Sequence, residues 1–285
     1  MTPSRRALLT GAGASLIAAP LAAQDRNALP LALNGAWRQG GYALGRTTPR
    51  ALIFVDGEAL TTASAAGLFV IGFDRDAASS VQIEARADDR SARRTLDIAP
   101  YAFPSTSVNG LPPSTVEPSD PALLARIQRE IALKTEGFAS RIDADDFKSG
   151  FIWPLESYRV SSAWGAQRIL NGTPARPHYG IDLAAPQGSV IRAPADGRIA
   201  FVRPNMHFEG GLTLIDHGQG LITCYLHQSR LDVEQGQRVR RGDPLGRVGM
   251  TGRATGPHLC WRMKWRDRNL DPSLMVGAFA PQTLA

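Results

Sequence analysis

Cysteine is nearly missing from this chain: 285 residues contain two, Cys224 and Cys260, so at most one disulfide can form and a cross-linked scaffold is excluded. Histidine is scarce as well, with five residues, and none precedes His178. Any histidine-dependent chemistry is thereby confined to the last hundred residues or so. No H-E-x-x-H motif occurs, which removes the helical zincins as a pattern for that chemistry. The basic residues are scattered and no RNA- or DNA-binding motif accompanies them, so the net charge of +6 does not point to nucleic acid. Aromatic residues make up 7%. No apolar run is long enough to span a membrane.

What is present is turn chemistry. With 28 Gly, 20 Pro and 43% hydrophobic residues, the composition suits a strand-rich, loop-rich globular protein, and the length suits about two domains. Residues 1–23 carry a basic head, a broken apolar run and then small residues, the pattern of a signal peptide. Ser4-Arg5-Arg6 resembles a twin-arginine export signal, and loss of Arg5 and Arg6 with the leader lowers the formal charge to +4. There is no lipoprotein cysteine at the cleavage region. An exported, periplasmic protein without a membrane span is the expectation.

Within residues 30–100, Val81/Ile83/Ala85 and Leu96/Ile98 alternate with one apolar face each, Leu52 to Val55 and Leu68 to Phe73 read as more buried strands, and Asn34-Gly35 and Asp56-Gly57 supply turns. An immunoglobulin-like β-sandwich is expected there. Pro100, Pro104, Pro112, Pro113 and Pro118 mark an extended linker, and residues 101–150 continue into a helix. Ser119 or Asp120 caps this helix, Pro121 occupies its first turn, and Leu123, Leu124, Ile127 and Ile131 form a stripe that should pack the two domains together. Residues 151–275 show turns at short intervals and no helical period between Ser161 and Arg262. This predicts an all-β second domain.

The densest punctuation lies at GRVGMTGRATGPHLCW, Gly246 to Trp261. If a strand follows Pro257, His258 and Cys260 share one face and mark a candidate metal site. His178 and Asp182, in HYGIDLAAP, sit in a loop entering a strand, and His227 ends the apolar run CYLH. His207 and His217 read as structural, His217 as a turn histidine.

Taken together, HYGIDLAAPQGSVIRAPADGRI, LIDHGQGLITCYLH and VRRGDPLGRVGMTGRATGPHL resemble the lysostaphin/LytM family of zinc endopeptidases that cut peptidoglycan cross-bridges. The resemblance covers about Phe151 to Leu274 and implies a twisted antiparallel β-sheet, the duplicated hybrid motif. It implies His178 and Asp182 as metal ligands and His227 and His258 as catalytic histidines. The family's third ligand is the second histidine of H-x-H, and here that position holds Cys260. Zinc accepts thiolate, so a His178, Asp182, Cys260 set is chemically reasonable. Zn2+ is thus the implied cofactor and peptidoglycan stem peptides the implied partner, with diaminopimelate cross-links expected over glycine bridges.

The implied function is hydrolysis of peptide cross-links through a metal-activated water, with one of His227 and His258 accepting a proton and the other donating one. The alternative is a degenerate, non-catalytic LytM-like module that binds cell wall or activates a cell-wall amidase. Cys224 lies three residues before His227, and strand parity puts it on the opposite face from His227 and hence away from Cys260.

Overall fold

The computed structural model describes residues 29–283. The leader reading at 1–23 lies outside them. The first seven strands are β1 (Leu31–Ala36), β2 (Tyr42–Thr47), β3 (Leu52–Val55), β4 (Glu58–Thr62), β5 (Leu68–Gly72), β6 (Ser80–Ala87) and β7 (Arg90–Asp97). They form two antiparallel sheets, β1-β2-β5 and β4-β3-β6-β7, which is a seven-stranded immunoglobulin-like sandwich. Its core holds Leu44, Ile53, Val55, Phe69, Ile71, Val81, Ile83 and Leu96.

Two details differ from the sequence expectation. Leu52 is exposed, because β3 alternates between core and solvent and is not buried on both faces. Asn34-Gly35 makes no turn but lies inside β1, paired with Leu44 and Ala43. A Cβ at Gly35 would stand 2.3 Å from the Tyr42 carbonyl oxygen, so the glycine serves close approach between the strands. Asp56-Gly57 does turn the chain between β3 and β4, with both residues at positive φ (50° and 86°).

Next come β8 (Ser105–Val108), the short helix α1 (Pro113–Val116) and α2 (Pro121–Phe138). The Asp120 side chain accepts from the Leu123 amide at 2.7 Å, and Pro121 fills the first turn as read. The packing of α2 departs from expectation. Of the four stripe residues only Ile127 is buried, while Leu124 and Ile131 are 40% and 44% exposed. The helix lies on the second domain's sheet, where Gly137 meets Phe201 and Leu214, and does not sit between the domains. The proline-rich passage is extended but tethered. β8 pairs in parallel with β10 (Gln167–Leu170), and the Asn171 side chain both donates to and accepts from the backbone of Leu111.

The second domain contains β9 (Arg159–Ser162), β10, β11 (Thr173–Pro174), β12 (Ile181–Ala184), β13 (Val190–Arg192), β14 (Gly197–Met206), β15 (Gly210–Asp216) and β16 (Leu221–Gln228). It continues with β17 (Arg230–Leu231), β18 (Arg238–Val239), β19 (Pro244–Arg247), β20 (His258–Trp265) and β21 (Arg268–Leu270). The main sheet runs β18-β14-β15-β16-β20-β12-β9, antiparallel throughout, with β21 on β20 and a small sheet β13-β19-β17 beside it.

The two faces of the main sheet have separate cores. One buries Tyr225, Leu259, Trp261, Met263 and Trp265 in a cluster continuous with the sandwich. Gly72 of β5 packs there so closely that a Cβ would lie 2.7 Å from Leu270, and Tyr42 donates its hydroxyl to the Leu274 carbonyl across the same junction. The other face buries Phe201, Leu212, Leu214, Ile222, Cys224, Leu226 and Cys260, with Phe138 of α2 packed against it. Cys224 therefore shares a face with Cys260, contrary to the parity argument. Both thiols are free and buried.

Candidate metal centre

Antiparallel register assembles the centre. Asp182 on β12 stands opposite Cys260 on β20, and Ala184 stands opposite His258. Residues paired across strands show their side chains on one face, so Asp182, Cys260 and His258 converge. His178 arrives from the loop before β12. Its backbone is pinned on both sides, the amide donating to Ala166 O and the carbonyl accepting from Gly165 N.

His227 reaches the same face by breaking the strand rule. Gly211 pairs with Gln228 and Thr213 with Tyr225, so Leu226 and His227 together oppose Leu212, a β-bulge. His227 takes a φ of 65° and donates its amide to Glu209 O. The bulge turns its ring onto that of His258, with centroids 4.7 Å apart. Parity counted from His227 then mislocates Cys224, which is why the expectation for Cys224 failed.

The donor atoms of His178, Asp182 and Cys260 all lie within 4.8 Å of one another. His178 Nε2 is 3.1 Å from Asp182 Oδ1 and 3.3 Å from Cys260 Sγ. Ligands bound at about 2.0–2.3 Å around a tetrahedral ion stand roughly 3.3–3.6 Å apart. The spacing fits a single small cation. Asp182 Oδ1 is buried without a hydrogen-bond partner, while Oδ2 accepts from Arg168 Nη2 at 2.7 Å. One oxygen is thus held by the protein and the other is left for a ligand outside it. Ser162 Oγ lies 3.5 Å from His178 Nδ1, on the far side of the ring from the cluster.

Charge follows from burial. Burial pushes the Cys260 thiol up to about 12, against the pull of the Arg262 guanidinium. Burial also opposes ionisation of Asp182, but His178, His258 and Arg168 outweigh it and hold the carboxyl well below the usual range. His178 is lowered by burial despite Asp182 beside it. His227 falls to about 3, through burial first and the neighbouring His258 second. Carbonyl oxygens only accept, so His227 donates Nδ1–H to Thr251 O at 2.8 Å and His258 donates Nδ1–H to Gly256 O at 2.9 Å. In the neutral His227 ring Nε2 is left as the acceptor, and His258 Nε2 lies 3.8 Å from Asp182 Oδ1.

The five residues singled out from the sequence thus meet at one place. The other two histidines lie elsewhere. His217 is fully buried between Asp196 O at 2.6 Å and Thr223 Oγ1 at 2.7 Å, and His207 Nε2 donates to Ser114 O. Sequence reasoning missed Arg168 and Arg262. Arg262 donates Nε–H to Cys260 Sγ at 3.4 Å, and its position two residues after Cys260 on one strand was a usable signal. Arg168 lies on a separate strand and carried none.

Comparison with known proteins gives one consistent result. Residues 176–272 match the profile described as Peptidase family M23. DD-carboxypeptidase/endopeptidase Mpg of Neisseria meningitidis serogroup B is 41% identical over 126 residues, 44% of this chain and 29% of its own length. Peptidoglycan DD-endopeptidase ShyA of Vibrio cholerae serotype O1 is 38% identical over 118 residues, 41% of this chain and 27% of its own. These alignments span less than a third of either relative. A crystal structure of a candidate peptidase M23 from Pseudomonas aeruginosa superposes with a TM-score of 0.66 at 29% identity, covering 85% of this chain and 96% of that one.

Proposed function

Because this chain carries a peptidase M23 domain over residues 176–272, we propose that it is a zinc-dependent endopeptidase acting on the peptide cross-links of peptidoglycan. The observation that supports this most is the meeting of His178 Nε2, Asp182 Oδ1 and Cys260 Sγ within 4.8 Å, beside the His227–His258 pair. Those three residues would hold the ion. When bound, zinc supplies Lewis acidity, which makes water a stronger acid and a peptide carbonyl a better electrophile.

The protein's own part is proton handling. With ring centroids 4.7 Å apart the two imidazoles cannot comfortably both be charged, so the pair carries one proton at a time. Burial keeps His227 neutral, and Asp182 Oδ1 lies 3.8 Å from His258 Nε2. In this reading His258 Nε2 takes the proton of the attacking water. That proton then passes from His258 to the leaving amine, while His227, its Nδ1–H fixed on Thr251 O, keeps Nε2 as an acceptor for the other hydrogen of the water. Each ring is oriented by a backbone carbonyl, so neither needs a further side chain.

The substrate assignment rests on the named activities of the relatives, which concern peptidoglycan. Among the described residues no helix is long and apolar enough to cross a membrane. We place the protein in the periplasm, where that substrate lies.

A second reading is supported by Cys260 itself: a fully buried thiol raised to about 12 gives up its proton reluctantly, as suits a non-catalytic module that holds stem peptides or engages an amidase. Metal analysis of the purified protein and product analysis on intact peptidoglycan separate the two. Stoichiometric zinc with muropeptide cleavage that disappears in His258→Ala supports the enzyme. No cleavage by a zinc-loaded protein refutes it in favour of the binding module.

A further inference from the structure

Cys260 brings to the centre a second anionic donor beside Asp182, and β20 places a cation against it. Arg262 follows on the same face, and its Nε–H points at the sulfur at 3.4 Å. Among the described residues that sulfur is the acceptor its guanidinium reaches. Two neighbouring cations are already engaged: Arg168 donates to Asp182 Oδ2, and Lys134 pairs with Glu209. Arg253 donates to Thr115 O, away from the thiol. The space for the pair comes from Gly180, where a Cβ would lie 2.8 Å from both Cys260 Sγ and Arg262 Cγ. The glycine, the thiol and the arginine form one fitted arrangement.

We propose that Cys260 and Arg262 act as a single unit in metal binding, with the guanidinium hydrogen-bonding the thiolate ligand and offsetting its charge. This rests on the reading of Cys260 as a ligand. The charge count supports it. A dication with one carboxylate and two neutral imidazoles carries a net +1. The same dication with a carboxylate, a thiolate and a guanidinium also carries a net +1. A thiolate alone in that position would leave the ion one charge less positive, and an imidazole beside Arg262 one charge more. Either change alters how strongly the ion is held and how strongly it polarises what it binds. Arg262 is accordingly a positioning residue: it touches a ligand, not the substrate. The substitutions at 260 and 262 that preserve function are therefore coupled.

The test loads the full chain with cobalt(II) in place of zinc and reads the thiolate-to-cobalt charge-transfer absorption together with cobalt affinity by chelator competition. The native protein should show the band. Arg262→Met should weaken affinity about 10- to 100-fold, the range for lost outer partners of metal ligands, and shift the band to lower energy. Arg262→Lys should restore most of the affinity, which a merely structural role for the long side chain of methionine would not explain. Cys260→His alone should bind less well than Cys260→His combined with Arg262→Met, reversing the sign of the Arg262→Met effect. Circular dichroism at each step establishes that the variants are folded. Equal affinity and an unshifted band in Arg262→Met and Arg262→Lys, or additive effects in the double variant, would overturn the pairing while leaving Cys260 a ligand. Absence of the band from the cobalt-loaded native protein would overturn the ligand assignment, and the pairing with it.

Discussion

The Arg168–Asp182 contact offers the sharpest quantitative test of how the centre is held. Arg168 reaches from β10 to Asp182 Oδ2 at 2.7 Å, and both side chains are largely buried, 13% and 11% exposed. Replacement by Gln keeps a donor but removes the charge; replacement by Met removes both. Without the guanidinium, Oδ2 is buried unsatisfied, Oδ1 is no longer the single free oxygen, and the carboxylate is free to rotate or bind a metal through either atom. Loss of such an outer partner costs about 10- to 100-fold in metal affinity. In the metal-free protein the larger effect is on folding, since removing one partner of a buried pair costs on the order of 3–5 kcal/mol. Zinc binding to the variant should recover part of this, because the ion then compensates Asp182. The assay is a urea titration with and without saturating zinc, alongside zinc affinity by competition with a chromophoric chelator. Arg168→Met with unchanged zinc affinity and unchanged metal-free stability would show that Asp182 is oriented by its strand alone, and the reasoning from the contact would fall.

Cys260→Ser should lose zinc on dialysis against a weak chelator while the native protein keeps it, as metal analysis will report, because a hydroxyl is a poor ligand for this ion. His217 is neutral in the fold, its pKa lowered chiefly by burial, so the unfolded chain takes up its proton first. Stability from His217 is complete above about pH 6.5 and is lost as pH falls below it; urea midpoints of the metal-free protein should therefore drop from pH 7.5 to 5, and less steeply in His217→Gln. Trp261→Ala, at a position with no exposure, should lower stability by about 3–5 kcal/mol in the same titrations. Thiol counting without reductant should find two reactive thiols in denatured protein and none in the native state, since Cys224 and Cys260 are both free and buried.

Much of the fold was legible because its periods are simple. The sandwich core repeats at every second residue in Val81, Ile83 and Ala85, and the fully apolar Leu68–Gly72 is buried at every position. The helix start was legible because Asp120 and Pro121 each have one physical use there. Packing partners were not legible. A stripe of Leu123, Leu124, Ile127 and Ile131 says that a helix is amphipathic, not which surface receives it, and Leu124 and Ile131 stay exposed. Asn34-Gly35 looked like a turn because the dipeptide favours one, yet the same glycine serves a close strand approach equally well.

At the centre, sequence spacing worked wherever the strand was regular. His258 and Cys260 are two apart on β20 and point together, and Asp182 reaches them through plain antiparallel register. The rule failed at His227, where one extra residue in β16 reverses the parity of everything counted across it. No residue type announces such a bulge: His227 has φ of 65° although it is neither Gly nor Asn. A side chain held in that region costs on the order of 1–3 kcal/mol unless its surroundings compensate. Here the compensation is visible in two hydrogen bonds, from the His227 amide to Glu209 O and from its ring Nδ1–H to Thr251 O. The strain and its two restraints share one consequence, which is to bring a histidine from what should be the opposite face of the sheet onto His258. The bulge thereby sets two imidazoles side by side next to the His178, Asp182, Cys260 cluster.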